Sequence, residues 1–372
     1  MLRKFLTTCI VLGTFYFGFA QTNSIAQTKS DSTVSATAAA AEESKPKTVI
    51  SGSVDVYYKY DFNKQAGNNK TSFTNSHNSF ELGAARVKIE HTTSKLDMVA
   101  ELAFGKRGEE FSYNEKGTQA AIRQLYVSYA PSTHIKFTAG DWATHFDNEI
   151  FEPDANRNYS MSYMFTWGPF FHTGIKADAT FGKHGFMLGV TNPNDYKSFN
   201  NASKYVIAQY SFAPDDKFKA YINYFAGKRP TDTAKVSQLE AILTQKFSDK
   251  FNMLYIGSIA FNKYQNAGKY GASQNWWCSG LYFNYDPTSL FGLTLRTEYF
   301  NDDKQQNVFA TNPTGGGNIF ETTLSANFRI DNLVIIPEVR FENASKEIFT
   351  KSNGTTGTKT NGNFLIAAVY HF

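Results

Sequence analysis

Residues 54–62 read VDVYYKYDF, and this stretch decides the expected fold. Apolar and polar residues alternate along it with a period of two. Successive side chains of a β-strand point to opposite faces, so the pattern predicts a strand with one apolar and one polar face. A second stretch of this kind, FLIAAVYHF, covers residues 364–372. The predicted apolar face of the first stretch carries Val54, Val56, Tyr58, Tyr60 and Phe62.

The same period of two recurs from residue 48 to residue 372. Aromatic and β-branched residues fill these segments, and turn-forming residues separate them. Sixteen strands are predicted, at about 48–62, 78–92, 95–107, 119–130, 134–142, 170–181, 185–191, 203–212, 217–227, 235–247, 250–263, 273–285, 290–300, 318–330, 332–343 and 361–372.

The connections between these strands alternate strictly between long and short. Eight are long and polar, and they lie at 63–77, 108–118, 143–169, 192–202, 228–234, 264–271, 301–317 and 344–361. The seven others are turns of one to four residues. An even number of strands with short turns at one end and long loops at the other is typical of outer-membrane barrels. The sequence therefore predicts an all-β fold: a transmembrane antiparallel β-barrel of about 16 strands, with short periplasmic turns and long extracellular loops.

The composition agrees with a barrel and leaves one alternative open. Only 19% of the residues are charged, whereas soluble domains average about 25%. A large soluble β-sandwich, the alternative, would also need aromatic residues for its core. Lys and Arg are scattered along the chain, so no nucleic-acid partner is expected. Aromatic rings near strand ends suit the membrane interface, and the expected girdle includes Trp142, Phe170, Phe171, Trp276, Trp277, Tyr282, Tyr285, Tyr370 and Phe372.

Residues 1–20 have the organisation of an export signal. A short basic start precedes an apolar run that ends in GFA at 18–20, where small residues stand at the two positions that signal peptidase reads. Cleavage is expected after Ala20, or alternatively after Ala26. We therefore expect a protein of the outer membrane of a Gram-negative bacterium. The predicted parts are a signal peptide at 1–20, a flexible periplasmic tether at 21–47 and a transmembrane β-barrel at 48–372.

The longest connection, residues 143–169, carries both charged and aromatic side chains. A connection of this length with so many apolar rings is not expected to lie free in solvent. We predict that it folds into the lumen and narrows it, with its acidic residues facing basic residues of the wall. Opposed charges across a narrow pore would sort polar solutes. The alternative is a surface loop whose rings anchor it to the barrel rim.

Alternation also identifies charged residues of the inner wall. In RVKIE at 86–90, Val87 and Ile89 should face lipid, because a Lys or Arg on the lipid face near the midplane costs about 2–4 kcal/mol. The same reasoning turns inward Asp55, Lys59, Glu338 and Arg340. A solvated inner wall without selectivity is the alternative. The predicted pore-lining residues are Arg86, Lys88, Glu90, Lys136, Glu149, Glu152, Asp154 and Arg157.

Motifs for catalysis and for metal binding are weak. His145, Asp147 and Glu149 alternate and could offer ligands to a hard cation, but the glycine turn and terminal Glu of an EF-hand are missing. Neither a metal nor a cofactor is predicted. No nucleophile motif stands out, so we do not expect an enzyme. A membrane hydrolase that brings Ser and His together from distant strands remains an alternative.

Two segments resemble known outer-membrane proteins. Residues 140–178 are similar to a segment of the putative β-barrel porin-2 (OmpL-like) family. The similarity is carried by Gly140, Glu149 within HFDNEIFEPDANRNYS, Ser160, Ser162 and GPFFHTG at 168–174. The terminal strand with its Phe372 resembles the signal that the barrel-assembly machinery reads. The resemblance implies an outer-membrane pore and brings no catalytic residues.

The sequence thus predicts a porin: a passive diffusion channel for small hydrophilic solutes or ions, narrowed by residues 143–169. Sixteen strands enclose a space too wide for wall side chains to fill. The expected partners are outer-membrane lipids and lipopolysaccharide, the barrel-assembly machinery during insertion, small solutes and a further copy in a homo-oligomer. Two alternatives stay open: an outer-membrane hydrolase, and a structural or adhesion barrel with a closed lumen.

Overall fold

A computed structural model describes residues 46–355 and 357–372. The predicted signal peptide and residues 21–45 of the predicted tether lie outside the described residues. Lys47 is the first residue of the first strand. None of the helices in the described part of the chain is long and apolar enough to cross a membrane.

Within the described residues, sixteen antiparallel strands form one closed barrel. The strands are β1 Lys47–Asp61, β2 Ser79–Thr92, β3 Leu96–Phe104, β4 Ile122–Tyr129, β5 Ile135–Ala143, β6 Phe171–Phe181, β7 His184–Thr191, β8 Tyr205–Phe212, β9 Phe218–Lys228, β10 Lys235–Ser248, β11 Phe251–Lys263, β12 Gln274–Thr288, β13 Phe291–Asp302, β14 Gly317–Ile330, β15 Leu333–Ala344 and β16 Thr360–His371. Each strand pairs with its neighbours in sequence, and β1 pairs with β16. The predicted all-β barrel is confirmed.

Short elements occupy the long loops. Two α-helices, α1 Lys106–Phe111 and α2 Tyr163–Trp167, lie in the connections after β3 and β5. The other pieces are 3-10 turns at Ala66–Asn68 and Gly117–Ala121, and two-residue strand pairs at Gln265–Asn266 with Lys269–Tyr270 and at Phe349–Thr350 with Gly357–Thr358.

The third predicted strand, at about 95–107, extends too far. It ends at Phe104, because Gly105 has φ 109°, a conformation that L side chains rarely adopt, and α1 begins directly after it. The fourth strand begins at Ile122 rather than near 119, because residues 117–121 form a 3-10 turn. In both cases a local helical turn replaces the end of the predicted strand.

The barrel closes between its first and last strands. Ser53 pairs with His371, and the register continues to Asp61 opposite Asn363. Beyond the last pair, Gly52 and Phe372 exchange backbone hydrogen bonds of 3.1 and 3.0 Å. A Cβ on Gly52 would lie only 2.8 Å from the Phe372 ring, so the absence of a side chain lets that ring pack on β1. Closure leaves no unpaired strand edge in the membrane.

The alternation of residues assigned the strand faces correctly, but the expectation that aromatic rings near strand ends form a girdle was wrong for several of them. Tyr285, Tyr370 and Phe372 are exposed on the outer surface, as a girdle requires. Trp277 is half-buried and packs 5.3 Å from Tyr299. Five predicted girdle residues are instead buried among inner-wall and loop residues, because the long connection inside the barrel offers them an apolar surface: Trp142, Phe170, Phe171, Trp276 and Tyr282.

Candidate functional site: the lumen and the loop that crosses it

The connection between β5 and β6, residues 144–170, lies inside the barrel and is called the inward loop. Near its start, the Asp147 amide donates to Glu240 on β10 at 2.8 Å. Near its end, the Tyr163 hydroxyl donates to Glu342 on β15 at 2.6 Å. Between them, the Tyr159 hydroxyl donates to Asp55 on β1. The loop therefore crosses the lumen from wall to wall, as the sequence predicts.

Arg296 on β13 is the centre of the strongest set of contacts between the barrel wall and the inward loop. Its guanidinium lies 2.5 Å from Glu149 of the inward loop and 3.3 Å from Glu321 of the wall. It also donates to the Ser160 carbonyl at 2.7 Å. The Arg296 side chain has no solvent exposure. Hydrogen bonds between charged groups are stronger when they are buried than when they are exposed at the surface. Removal of one partner is strongly destabilising, because the other charge is then buried without a partner.

Wall carboxylates also hold the backbone of the inward loop. Glu298 on β13 accepts from the amides of Tyr163 and Met164 at 2.7 Å each, at the start of α2. Glu338 on β15 accepts from the Tyr159 amide at 2.9 Å. Free amides at the first turn of a helix are satisfied by acceptors of this kind. The short helix is thus fixed by the wall opposite to it.

The middle of the inward loop is paired with basic and acidic residues on two sides of the barrel. Asp154 lies 3.1 Å from Arg86 on β2, and Arg157 lies 2.9 Å from Asp286 on β12. Both wall residues contact the inward loop, so their side chains point into the barrel. Opposite charges therefore bridge the loop to walls that the lumen separates.

Glu152 of the inward loop is paired with Arg123 on β4 at 3.3 Å. Burial alone would raise the pKa of this carboxyl, but Arg123 and Arg86 outweigh burial and hold its pKa below the usual value. Because the folded-state pKa is depressed, this attachment is complete above the ordinary pKa of Glu and is lost only as the pH falls through the lower value. Glu152 thus stays ionised and attached at neutral pH.

Two arginines missed by the sequence analysis hold the loop through aromatic rings. The guanidinium carbon of Arg107, on α1, lies 4.7 Å from the centre of the Phe73 ring and 5.3 Å from that of Tyr159. Its Nε donates to the Phe151 carbonyl at 2.8 Å. The guanidinium carbon of Arg123 lies 4.0 Å from the centre of the Phe111 ring on α1 and 5.0 Å from that of Phe151 in the inward loop. Cation–π contacts of desolvated arginines contribute about 2 kcal/mol, so an extracellular loop also stabilises the inward loop.

The eight predicted pore-lining residues fall into two groups. Lys88 and Glu90 pair on β2 at 2.8 Å, and Lys136 pairs with Asp97 at 2.8 Å. The side chains of Glu90 and Lys136 are 39% and 21% exposed. Asp154 and Arg157 of the loop also keep contact with solvent. The more deeply buried group, which faces partners rather than open space, comprises Arg86, Glu149 and Glu152.

The inner wall formed by β10, β11, β13 and β14 is buried against the inward loop at mid-barrel. Ile242 and Ile256, on the inner faces of β10 and β11, pack in one apolar cluster with Tyr163 and Met164 of the inward loop. Cys278 lies buried in the same cluster, in agreement with a small apolar role. Inner residues of β13 and β14 are equally enclosed. Charged pairs inside the barrel that keep solvent contact include those at the periplasmic ends of β2, β3, β5 and β6 and those of β10, β12 and β14.

The sequence alone could not identify the contact between Arg296 and the inward loop. The alternation of residues along the strands predicts that Arg296, Glu298 and Glu321 face inward, but no neighbouring residue distinguishes them from other inward-facing residues. Arg296 and Glu149 are 147 residues apart in the chain. Only the strand order and register bring β13 against the inward loop.

No metal centre is formed within residues 46–355 and 357–372, where no three His, Cys, Asp or Glu side chains cluster as ligands. An oxygen of Asp147 accepts from the amides of Asn148 and Glu149. This carboxylate therefore shapes the turn that leads into the lumen.

A second loop contact depends on Asp195, between β7 and β8. Its carboxylate accepts from the amides of Phe170 and Phe171 at 2.7 and 3.1 Å and from the Tyr113 hydroxyl at 2.9 Å. Burial raises the pKa of Asp195 to about 6, although the two amides oppose the shift. The contact joins the end of the inward loop to two extracellular loops.

We expect the stability of this contact to fall as the pH rises from about 4 to about 6, because the folded protein holds a proton that the unfolded chain has released. The temperature at which the barrel loses its folded gel mobility should decrease over this range. Asp195→Asn, which cannot ionise, should show a smaller decrease. Asp331→Asn, at an exposed turn, is the control and should behave like the wild type. An equal pH dependence in both variants would contradict the role of Asp195.

Comparison with known proteins identifies the family. The model of the family "Putative beta-barrel porin-2, OmpL-like" matches residues 47–372. The chain belongs to this porin family. No curated protein sequence matches it.

Solved structures share the fold at low sequence identity. The outer-membrane channel DcaP of Acinetobacter baumannii aligns with a TM-score of 0.58 and 10% identity, over 89% of this chain and 99% of DcaP. An anion-selective porin from Comamonas acidovorans gives 0.58 and 10%, over 88% and 100%. The trimer form of OmpT of Vibrio cholerae gives 0.57 and 12%, over 88% and 99%. Family and fold together support an outer-membrane porin channel, as the sequence predicts.

Proposed function

We propose that this porin is a non-enzymatic, passive diffusion channel for small hydrophilic solutes, and that solutes pass between the inward loop and the inner wall of β2–β6. One observation carries the proposal. Charged side chains with access to solvent at the periplasmic part of this wall include Glu90 and Lys136. The facing wall at the level of Arg296 is buried against the loop. Water and solutes need a polar, accessible surface, and the periplasmic part of this wall has one.

The charges along the proposed passage favour weak selectivity. Lys88 is paired with Glu90, Lys136 with Asp97, and Lys176 with Asp178, at 2.8, 2.8 and 3.3 Å. Since each cation has an acidic partner, the wall has little net charge of either sign. A wall of this kind accepts polar solutes without a strong preference for anions or cations. We propose that Arg86, Asp154 and Arg157 narrow the passage, because their pairs hold the loop across it.

Cysteine accessibility tests the path. In a Cys278→Ala background, Lys136→Cys should react with a charged methanethiosulfonate reagent, and the reaction should reduce the current through single channels in planar bilayers. The matched control is Ser325→Cys on β14, whose inner face is buried and should not react. A block at Ser325→Cys without one at Lys136→Cys would place the path on the other side. If the folded barrel conducts no current in planar bilayers, the channel function is contradicted and a structural or adhesion barrel is favoured.

We also propose that the porin inserts through the barrel-assembly machinery, contacts outer-membrane lipids and lipopolysaccharide, and forms a homo-oligomer. The trimer form of the OmpT structure supports the oligomer by similarity of fold. Native mass spectrometry of the purified protein in detergent measures the number of copies. A single copy at all concentrations that preserve the folded barrel would contradict the oligomer.

A further inference from the structure

A furrow of about 400 Å³ lies at the extracellular ends of β5, β6 and β7. Ile175 and Val190, which line it, are 63% and 46% exposed, and large apolar side chains with this exposure mark the outer, lipid-facing surface of the barrel. The furrow is therefore separate from the lumen.

Two glycines form the floor of the furrow. Gly140 and Gly174 pair directly across β5 and β6. A Cβ on Gly140 would lie 2.2 Å from the Leu125 carbonyl oxygen, and one on Gly174 would lie 2.3 Å from the Val190 carbonyl oxygen. Side chains are thus excluded at both positions, and backbone lines the furrow there.

The furrow changes from apolar to polar toward the extracellular side. Ile175 and Val190 lie within the strands, whereas Asn192 and Lys204 stand just beyond the ends of β7 and β8. The Lys204 ammonium group donates to the carbonyls of Asn201 and Ser203 at 3.2 and 3.5 Å. Among the residues that the structure describes, no acidic group forms an ion pair with it. Its positive charge is uncompensated by the protein.

We propose that this furrow binds one phosphorylated lipid of the outer leaflet, with an acyl chain against Ile175 and Val190 and a phosphate at Lys204. An apolar furrow that ends at Lys204, a cation without an acidic partner, is complementary to an amphiphile with an anionic head group. A zwitterionic lipid would bring its own positive charge to the same place and gain less. The inference rests on the proposed contact with outer-membrane lipids, but it does not depend on conduction, because the furrow lies on the outer surface.

Native mass spectrometry of the folded protein in detergent, with diphosphoryl lipid A or phosphatidylcholine added, tests the proposal. We expect retention of one lipid A per chain and weaker retention of phosphatidylcholine. Lys204→Ala should lower the affinity for lipid A about fivefold, since one basic residue near a membrane surface contributes about 1 kcal/mol. Val190→Trp should fill the furrow and abolish binding. The controls are Lys263→Ala, an exposed lysine at the end of β11, and Ile222→Trp on the outer face of β9.

Folded gel mobility and unchanged conductance verify that each variant is an intact barrel, so a loss of lipid binding is distinguishable from a loss of the channel. Equal binding of both lipids, or wild-type affinity for lipid A in both furrow variants, would overturn the proposal. If Val190→Trp instead splits an oligomer into single chains, the furrow is a contact between copies and the lipid assignment is wrong.

Discussion

Replacing Arg296 with methionine is expected to release the inward loop and to raise the single-channel conductance several-fold. The substitution removes the guanidinium that lies between Glu149 and Glu321 and leaves both carboxylates without it in an enclosed space. Breaking a buried pair on one side costs about 3–5 kcal/mol. The loop can avoid this cost by moving Glu149 into water, which widens the passage. Conductance in planar bilayers and protease cleavage within residues 144–170 measure the release.

Two further variants make this result interpretable. Arg329→Met removes an arginine near the periplasmic end of β14 that stays partly exposed, and it should leave the conductance close to that of the wild type. Arg296→Met combined with Glu149→Gln removes the uncompensated charge of the loop and should restore part of the narrowing. Folded gel mobility checks that the barrel persists. An intact Arg296→Met barrel with wild-type conductance would show that this attachment does not hold the loop.

Deleting Phe372 is expected to abolish outer-membrane insertion almost completely while leaving export unaffected. The deletion removes both backbone hydrogen bonds to Gly52 and the ring that packs on β1 beside it. These are the outermost contacts of the pair of strands that closes the barrel. Unpaired backbone groups in hydrocarbon cost several kcal/mol each, so a weakened seam should not persist in the membrane. Heat-modifiable mobility of the outer-membrane fraction measures the folded barrel, and the periplasmic fraction measures exported chain.

Phe372→Tyr is the matched variant, because it keeps the ring and the backbone bonds and adds only a hydroxyl that suits the membrane interface. It should insert at wild-type levels. Folded, heat-modifiable barrel at normal levels after the deletion would contradict the argument from closure. Loss of the Phe372→Tyr variant would show that the machinery reads the side chain itself rather than the completed seam.

The strands and their order could be derived from the sequence because their signal is local. Alternation within 54–62 or 364–372 needs only neighbouring residues, and the structure places both segments in the strands that meet at the seam. The alternation of long and short connections then allowed only an up-and-down arrangement. Errors occurred where a local turn competed with the strand, as at Gly105.

Which side chains meet inside the lumen depends on the three-dimensional arrangement of the strands and the inward loop. Acidic residues in the inward loop and basic residues on the wall could be predicted as opposing groups, and the structure pairs Asp154 with Arg86. The identity of the other partners was not predictable, because Arg296 and Arg123 look like any other inward-facing residues along their strands. Aromatic rings were misplaced for the same reason: Trp142 and Phe171 satisfy the pattern of a girdle, but they pack inside.

The sequence by itself therefore determined the class of fold, the sixteen strands, the faces of the wall and the membership of a porin family, since each is set by period-two alternation or by a contiguous motif. The tertiary structure decided how the inward loop packs against the wall, which charges hold it and where the outer surface has a furrow. Those features arise from register and closure, which bring together residues more than a hundred positions apart, such as Glu149 and Arg296. Side-chain contacts across a closed barrel are a property of the whole ring of strands, and no single segment encodes them.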